Sequence, residues 1–159
     1  MSGCSGRLRS VATALSIAVV VCAASVASGA EFSPAAPTPE LAKRYDEPSV
    51  FEAIPKSAWI AESANAYVIR DTTPKAPVHL LVIPKRRIPT LLQASPELLA
   101  EMFELVKRAA RQEGIAESGF RTIINTHPDS RQSVYHLHIH VLGGRKMDWT
   151  DGFTDSTAK

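Results

Sequence analysis

Three of the chain's five histidines, His136, His138 and His140, stand at alternate positions in the run from Gln132 to Gly144. Residues 134–142 are rich in β-branched, aromatic and aliphatic types and close on Gly143-Gly144, a pattern that predicts a strand ended by a turn. Side chains alternate across a strand, so the three imidazoles share one face at a spacing of about 7 Å, and Tyr135, Leu137, Ile139 and Val141 share the other. Packing accounts for one histidine on a strand. It does not easily account for three in strict alternation opposite a wholly apolar face.

Two chemistries fit such a row. In the first, His138 attacks phosphorus: one ring nitrogen must be bare, and the other must donate a hydrogen bond that fixes the tautomer. Neighbouring imidazoles and the Ser133 hydroxyl can then donate to oxygens on which charge builds, or protonate a leaving group. In the second, His-x-His with a distant third histidine holds a metal such as zinc and leaves a position open for water. His79, Asp71 and Asp148 are the further ligands available to it. Chelation separates the two, since phosphoramidate chemistry at His138 survives it and a metal site does not.

The elements that must position these groups are legible on either side. Residues 49–61 suggest a helical turn running into a first strand; residues 65–71 and 77–84 read as the second and third strands, with His79 set inside the third. Lys85-Arg86-Arg87 reads as a solvated edge. Ser95-Pro96-Glu97 opens a helix with a capping hydroxyl, a proline in the first turn and an early acid. Leu98, Leu99, Met102, Phe103, Leu105, Val106, Ala109 and Ala110 recur at helical spacing, and Gly114 stops it. Residues 120–125 form a fourth strand, and the polar loop 126–131 leads into the histidine strand. Strands joined by short loops around one good helix predict an α+β domain built on an antiparallel sheet, helices covering one face. The histidine face then walls an open groove.

The ends read differently. Residues 1–30 have Arg7 and Arg9 without an acid, an apolar run from Val11 to Val26 and small residues before Glu31, the layout of a secretory signal peptide cut after Ala30. That layout predicts export to the periplasm or outside the cell, without stable membrane association after cleavage. An uncleaved anchor and an organellar targeting segment are the alternatives. The cut would remove both cysteines, Cys4 and Cys22, so no disulfide or thiol chemistry would remain. It would also remove Arg7 and Arg9, leaving 16 basic against 16 acidic side chains, no basis for nucleic-acid binding. Residues 31–48, with Pro34, Pro37, Pro39 and Pro48, read as an extended spacer, and 151–159 as a polar tail.

The run His136-Leu137-His138-Ile139-His140-Val141-Leu142 resembles the signature of the histidine triad (HIT) superfamily. Val50-Phe51, Asp71, Thr73 to Lys85, Asn125, Gln132 to Tyr135 and Gly143 to Trp149 extend the likeness to its Hint branch, the purine nucleoside phosphoramidases. That resemblance implies a HIT domain over 49–150: an antiparallel sheet with one long and one short helix, paired as a two-fold homodimer. It implies hydrolysis of purine nucleoside 5′-phosphoramidates through a nucleotidyl-histidine intermediate, with no cofactor or metal. His138 would be the nucleophile, oriented by the carbonyl of His136; His140 and His79 would complete the group, and Ser133 would donate to the phosphate or leaving group. Asn125 and Gln132 would hold the phosphate, Asp71 the ribose, and Val50, Phe51 and Ile69 the base. A nucleotide-binding protein with little catalysis and an exported histidine metal site are the alternatives. The sequence departs from the branch at 126–131, where Thr-His-Pro-Asp-Ser-Arg replaces a glycine-rich loop and puts main-chain phosphate contacts in question.

Overall fold

The computed structural model describes residues 33–148. The expected signal peptide, both cysteines, Trp149 and the polar tail lie outside them. Five strands form one antiparallel sheet: β1 (Ala61–Glu62), β2 (Ala66–Arg70), β3 (Val78–Pro84), β4 (Phe120–Ile123) and β5 (Ile139–Gly143), in the order β1-β2-β3-β5-β4. Helix α1 (Pro39–Asp46) precedes the sheet, and helix α2 (Pro96–Gln112) fills the connection from β3 to β4. The last strand, β5, enters between β3 and β4 and so becomes central.

Period-two alternation divides the sheet into two faces. Val68, Leu80, Val82, Ile139 and Val141 bury themselves against Met102, Leu105, Val106 and Ala109 of α2. Each such side chain, fully buried, contributes about 1.5–3 kcal/mol relative to exposure. Tyr67, Ile69, Leu81 and Ile83 point the other way and pack with Phe51. The long helix begins as its sequence predicts: Ser95 Oγ accepts a hydrogen bond from the Leu98 N–H (3.3 Å), and beyond the last turn Gly114 adopts φ +70°.

Two expectations need correction. Residues 31–48 are not extended throughout, because Pro39–Asp46 is helical: Thr38 Oγ1 accepts from the Leu41 N–H (3.3 Å), Pro39 sits in the first turn and Glu40 follows it. Proline at the start of a helix loses a donor that would have had no partner anyway, so here it initiates the helix. The histidine strand begins at Ile139, not at 134, because 134–136 bend and the Leu137 N–H turns aside to the Ile88 carbonyl (2.6 Å). The helical turn expected to run into a first strand over 49–61 is present as two 3-10 turns, Val50–Ala53 and Lys56–Ala58, before the two-residue β1.

Candidate active site

Strand register brings the first two groups together. His79 on β3 pairs with Leu142 and Leu81 pairs with His140 on β5, which makes His79 and His140 diagonal neighbours on the face away from α2. Their rings stack at 5.2 Å between centroids, with His79 Nε2 2.9 Å from His140 Nδ1. His138, just before β5, lies edge-on to His140 at 4.8 Å and against Phe51 at 5.2 Å. Asp71 follows β2, its N–H donating to the His79 carbonyl (3.0 Å), and its Oδ2 stands 3.5 Å from His79 Nε2. The Thr73 N–H (2.7 Å) and hydroxyl (3.1 Å) both donate to Asp71 Oδ1.

The partners fix the tautomers. The Lys75 N–H donates to His79 Nδ1 (3.2 Å), so the proton of a neutral His79 is on Nε2 and is donated to His140 Nδ1. The proton of His140 is then on Nε2, available as a donor. His138 Nδ1–H donates to the His136 carbonyl (2.8 Å), which leaves Nε2 with a bare lone pair. One face thus offers a nucleophilic nitrogen beside a hydrogen-bond donor.

Electrostatics keep the group neutral. Burial lowers the pKa of His79, against a smaller upward pull from Asp71. Burial also lowers that of His138, opposed by the bond to the His136 carbonyl. His140 is pushed down to about 4, first by burial and then by His138 and His79. Unprotonated imidazoles at neutral pH are what a nucleophilic His138 requires.

The remaining predicted residues have distinct settings. His136 is buried, donating from Nε2 to the Pro84 carbonyl (2.8 Å) while its Nδ1 takes the Ser49 hydroxyl (3.0 Å). Both ring nitrogens are thereby occupied, and His136 reaches the group through its carbonyl alone. Gln132, expected at the phosphate, is buried with its amide engaged: Oε1 accepts from the His127 N–H (2.9 Å), and Nε2 donates to the carbonyls of Pro89 (2.7 Å) and Val134 (3.1 Å). It shapes the loop. Ser133 is exposed on that loop, its carbonyl accepting from Arg44 (3.4 Å). Asn125 is half-buried just beyond β4. Phe51 and Ile69 share the apolar cluster beside the histidines, whereas Val50 is 62% exposed.

Sequence reasoning missed Arg44, Tyr45 and His127, which join α1 to the Ser133 loop. The signal was present: Thr38-Pro39-Glu40 repeats the helix-start pattern of Ser95-Pro96-Glu97. The metal alternative has its own geometry, since ligand atoms of Asp71, His79 and His140 lie within 4.8 Å of one another. The tautomer chain works against it. With His79 Nδ1 facing an N–H, the Nε2 that would bind the ion carries the proton.

The model of the HIT domain matches residues 53–147. Adenylylsulfatase HINT1 of Arabidopsis thaliana is 40% identical over 116 residues, 67% of this chain and 78% of that protein. The purine nucleoside phosphoramidase of Escherichia coli K12 is 47% identical over 81 residues, 49% of this chain and 68% of that protein. Among solved structures, a HIT family hydrolase from Legionella pneumophila superposes with a TM-score of 0.61 at 38% identity, covering 66% of this chain and all of that one. With the family match spanning more than half of its length and the histidines set on the sheet in this way, the chain belongs to the HIT domain family.

Proposed function

We propose that the protein hydrolyses the P–N bond of purine nucleoside 5′-phosphoramidates through a nucleotidyl-histidine intermediate on His138. The observation that carries the reading is the Nδ1–H bond of His138 to the His136 carbonyl at 2.8 Å, which bares Nε2 beside the donor His140. The His138 Nε2 lone pair attacks phosphorus, and the P–N bond breaks with its electron pair going to the amine. The leaving amine takes up a proton, for which the Ser133 hydroxyl is the donor. His140 Nε2–H donates to a non-bridging oxygen on which charge builds. Water then attacks phosphorus, the P–Nε2 bond breaks with its electron pair returning to Nε2, and the proton the water sheds restores the Ser133 hydroxyl, releasing the nucleoside monophosphate and leaving His138 neutral. Asp71 would take the ribose hydroxyls, and Phe51 and Ile69, with Val50 at the rim, would line the base.

The test is AMP release from adenosine 5′-phosphoramidate by the purified protein, with and without EDTA, beside His138→Ala. Release that resists EDTA and disappears in the variant is expected. Release abolished by EDTA and restored by zinc would replace this mechanism with the metal one; AMP binding without release would make the protein a nucleotide binder. The name of the Arabidopsis relative makes adenylyl sulfate the second substrate to assay, with sulfate as the leaving group.

We further propose that the active form is a homodimer, checked by sedimentation, and that residues 1–30 direct export. A fusion of those residues to a reporter active only outside the cytoplasm reports on the second point, and an inactive fusion would favour targeting to an organelle.

A further inference from the structure

We infer that α1 is a clamp on the loop that carries Ser133, with Tyr45 as the positioning residue at its contact. The inference rests on the role of Ser133 in the proposed hydrolysis. The loop from Thr126 to Ser133 contains two non-glycine residues at positive φ, His127 at φ 69° with extended ψ 175° and Arg131 in left-handed backbone at φ 61°. L side chains disfavour that region and occupy it only where the surroundings impose it.

Part of the restraint is internal. Ser130 Oγ takes the Thr126 N–H (2.6 Å) and meets the carbonyls of Thr126 (2.6 Å) and His127 (2.9 Å); the Gln132 N–H donates to the His127 carbonyl (3.2 Å). The rest comes from α1, a segment distant in sequence. The Tyr45 hydroxyl is hydrogen-bonded to His127 Nε2 at 2.8 Å, and the two rings stack at 24°. Tyr45 also packs on Tyr135 at 5.7 Å, and the Arg44 guanidinium lies 4.8 Å over the Tyr135 ring while donating to the Ser133 carbonyl. Behind them, Arg87 at the exit of β3 donates to the Tyr45 carbonyl. Helix α1 has eight residues and none is fully buried, too short to be stable alone in water. The loop therefore holds the helix, and the helix holds the loop.

Ser133 sits at the end of this arrangement with its carbonyl fixed by Arg44 and its hydroxyl left for the substrate. Loss of the Tyr45 contact should free the loop without disturbing the strands that hold His79 and His140.

The test uses the full chain and the variants Tyr45→Ala and Tyr45→Phe, the second keeping the ring stack and losing the hydroxyl. Backbone hydrogen exchange over residues 127–135 should accelerate about tenfold in Tyr45→Ala and less in Tyr45→Phe, while β3 and β5 stay protected. With adenosine 5′-phosphoramidate, kcat of Tyr45→Ala should fall about tenfold at nearly constant KM, as displacement of a catalytic group predicts. In a Ser133→Ala background the same change should cost less than about twofold, because residues acting as one unit are non-additive. Unchanged exchange over 127–135 overturns the clamp whatever the activity. Equal kcat losses in both backgrounds overturn the positioning role. A wild-type protein that releases no AMP defeats the hydrolase reading instead, and the exchange data still decide whether α1 clamps the loop.

Discussion

The histidines occupy two contrasting settings. His79 and His140 are placed by a backbone ladder: once β3 and β5 pair in their register, the two imidazoles meet at 2.9 Å. His127 stands on a loop at positive φ, and a tyrosine more than eighty residues away in sequence holds it at 2.8 Å. Regular structure fixes geometry by many cooperative main-chain bonds. A loop without them needs anchors from elsewhere, and those anchors are open to change one at a time.

The largest test of this contrast is catalytic. His138→Ala should lower AMP release by at least ~10²–10⁴-fold, as removal of an acid, base or nucleophile typically does, whereas His127→Ala should cost about tenfold at most. Steady-state rates of the two variants compare the settings directly, and similar losses would erase the distinction.

Next comes the packing that fixes the ladder. A Cβ added at Gly143, the end of β5, would stand 2.8 Å from Ile115 Cδ1 and 3.2 Å from Ile115 Cβ. Gly143→Ala should therefore destabilise the fold by about 1–3 kcal/mol, read from urea midpoints. A loss below about 0.5 kcal/mol would mean that the turn after α2 yields easily.

The strand-held histidines should also give the fold a pH dependence. The folded pKa values of His79, His136 and His138 are lowered by burial, and His140 is pushed down to about 4. Between the unfolded value of about 6.5 and those folded values, the unfolded chain binds more protons. This contribution to stability is fully present above pH 6.5 and is lost as the pH falls toward 4. For His140 the slope should approach ~1.4 kcal/mol per pH unit between about 6.5 and about 4, with the other three adding in the same direction, and urea melts at pH 7 and pH 5 should show it. His140→Asn should flatten the curve; an unchanged curve would remove His140 from the account.

The smallest effect belongs to the helix cap. Thr38→Ala removes the acceptor for the Leu41 N–H and should cost α1 about 1 kcal/mol. That loss should appear as faster exchange in α1 and the 127–135 loop, with little change in global stability.

Much of the fold was legible because local rules and tertiary demands agreed. The apolar stripe and cap of α2, the runs that became β2, β3 and β4, and the alternation that sends Ile139 and Val141 to the core and His140 away from it all follow from residue types and spacing. Helix α1 went unread because prolines suggested an extended chain, although Thr38-Pro39-Glu40 opens a helix. The bend at 134–136 was hidden for a different reason. Val134 to Leu142 has the composition of a strand throughout, and only the competing bonds of Leu137 to Ile88 and of His136 to Ser49 and Pro84 pull its first half off the ladder.

The sequence by itself determined that histidines would share one face and that a long capped helix would cover the opposite face. Those properties depend on periodicity and side-chain type, which are local. Only the tertiary structure decided which nitrogen of each imidazole bears its proton, that the ring of His136 and the amide of Gln132 are engaged in holding the chain, and that α1 reaches back to the Ser133 loop. Each depends on a hydrogen-bond partner distant in sequence or on a bend in the backbone, and such partners become neighbours only when the sheet and its loops close around them.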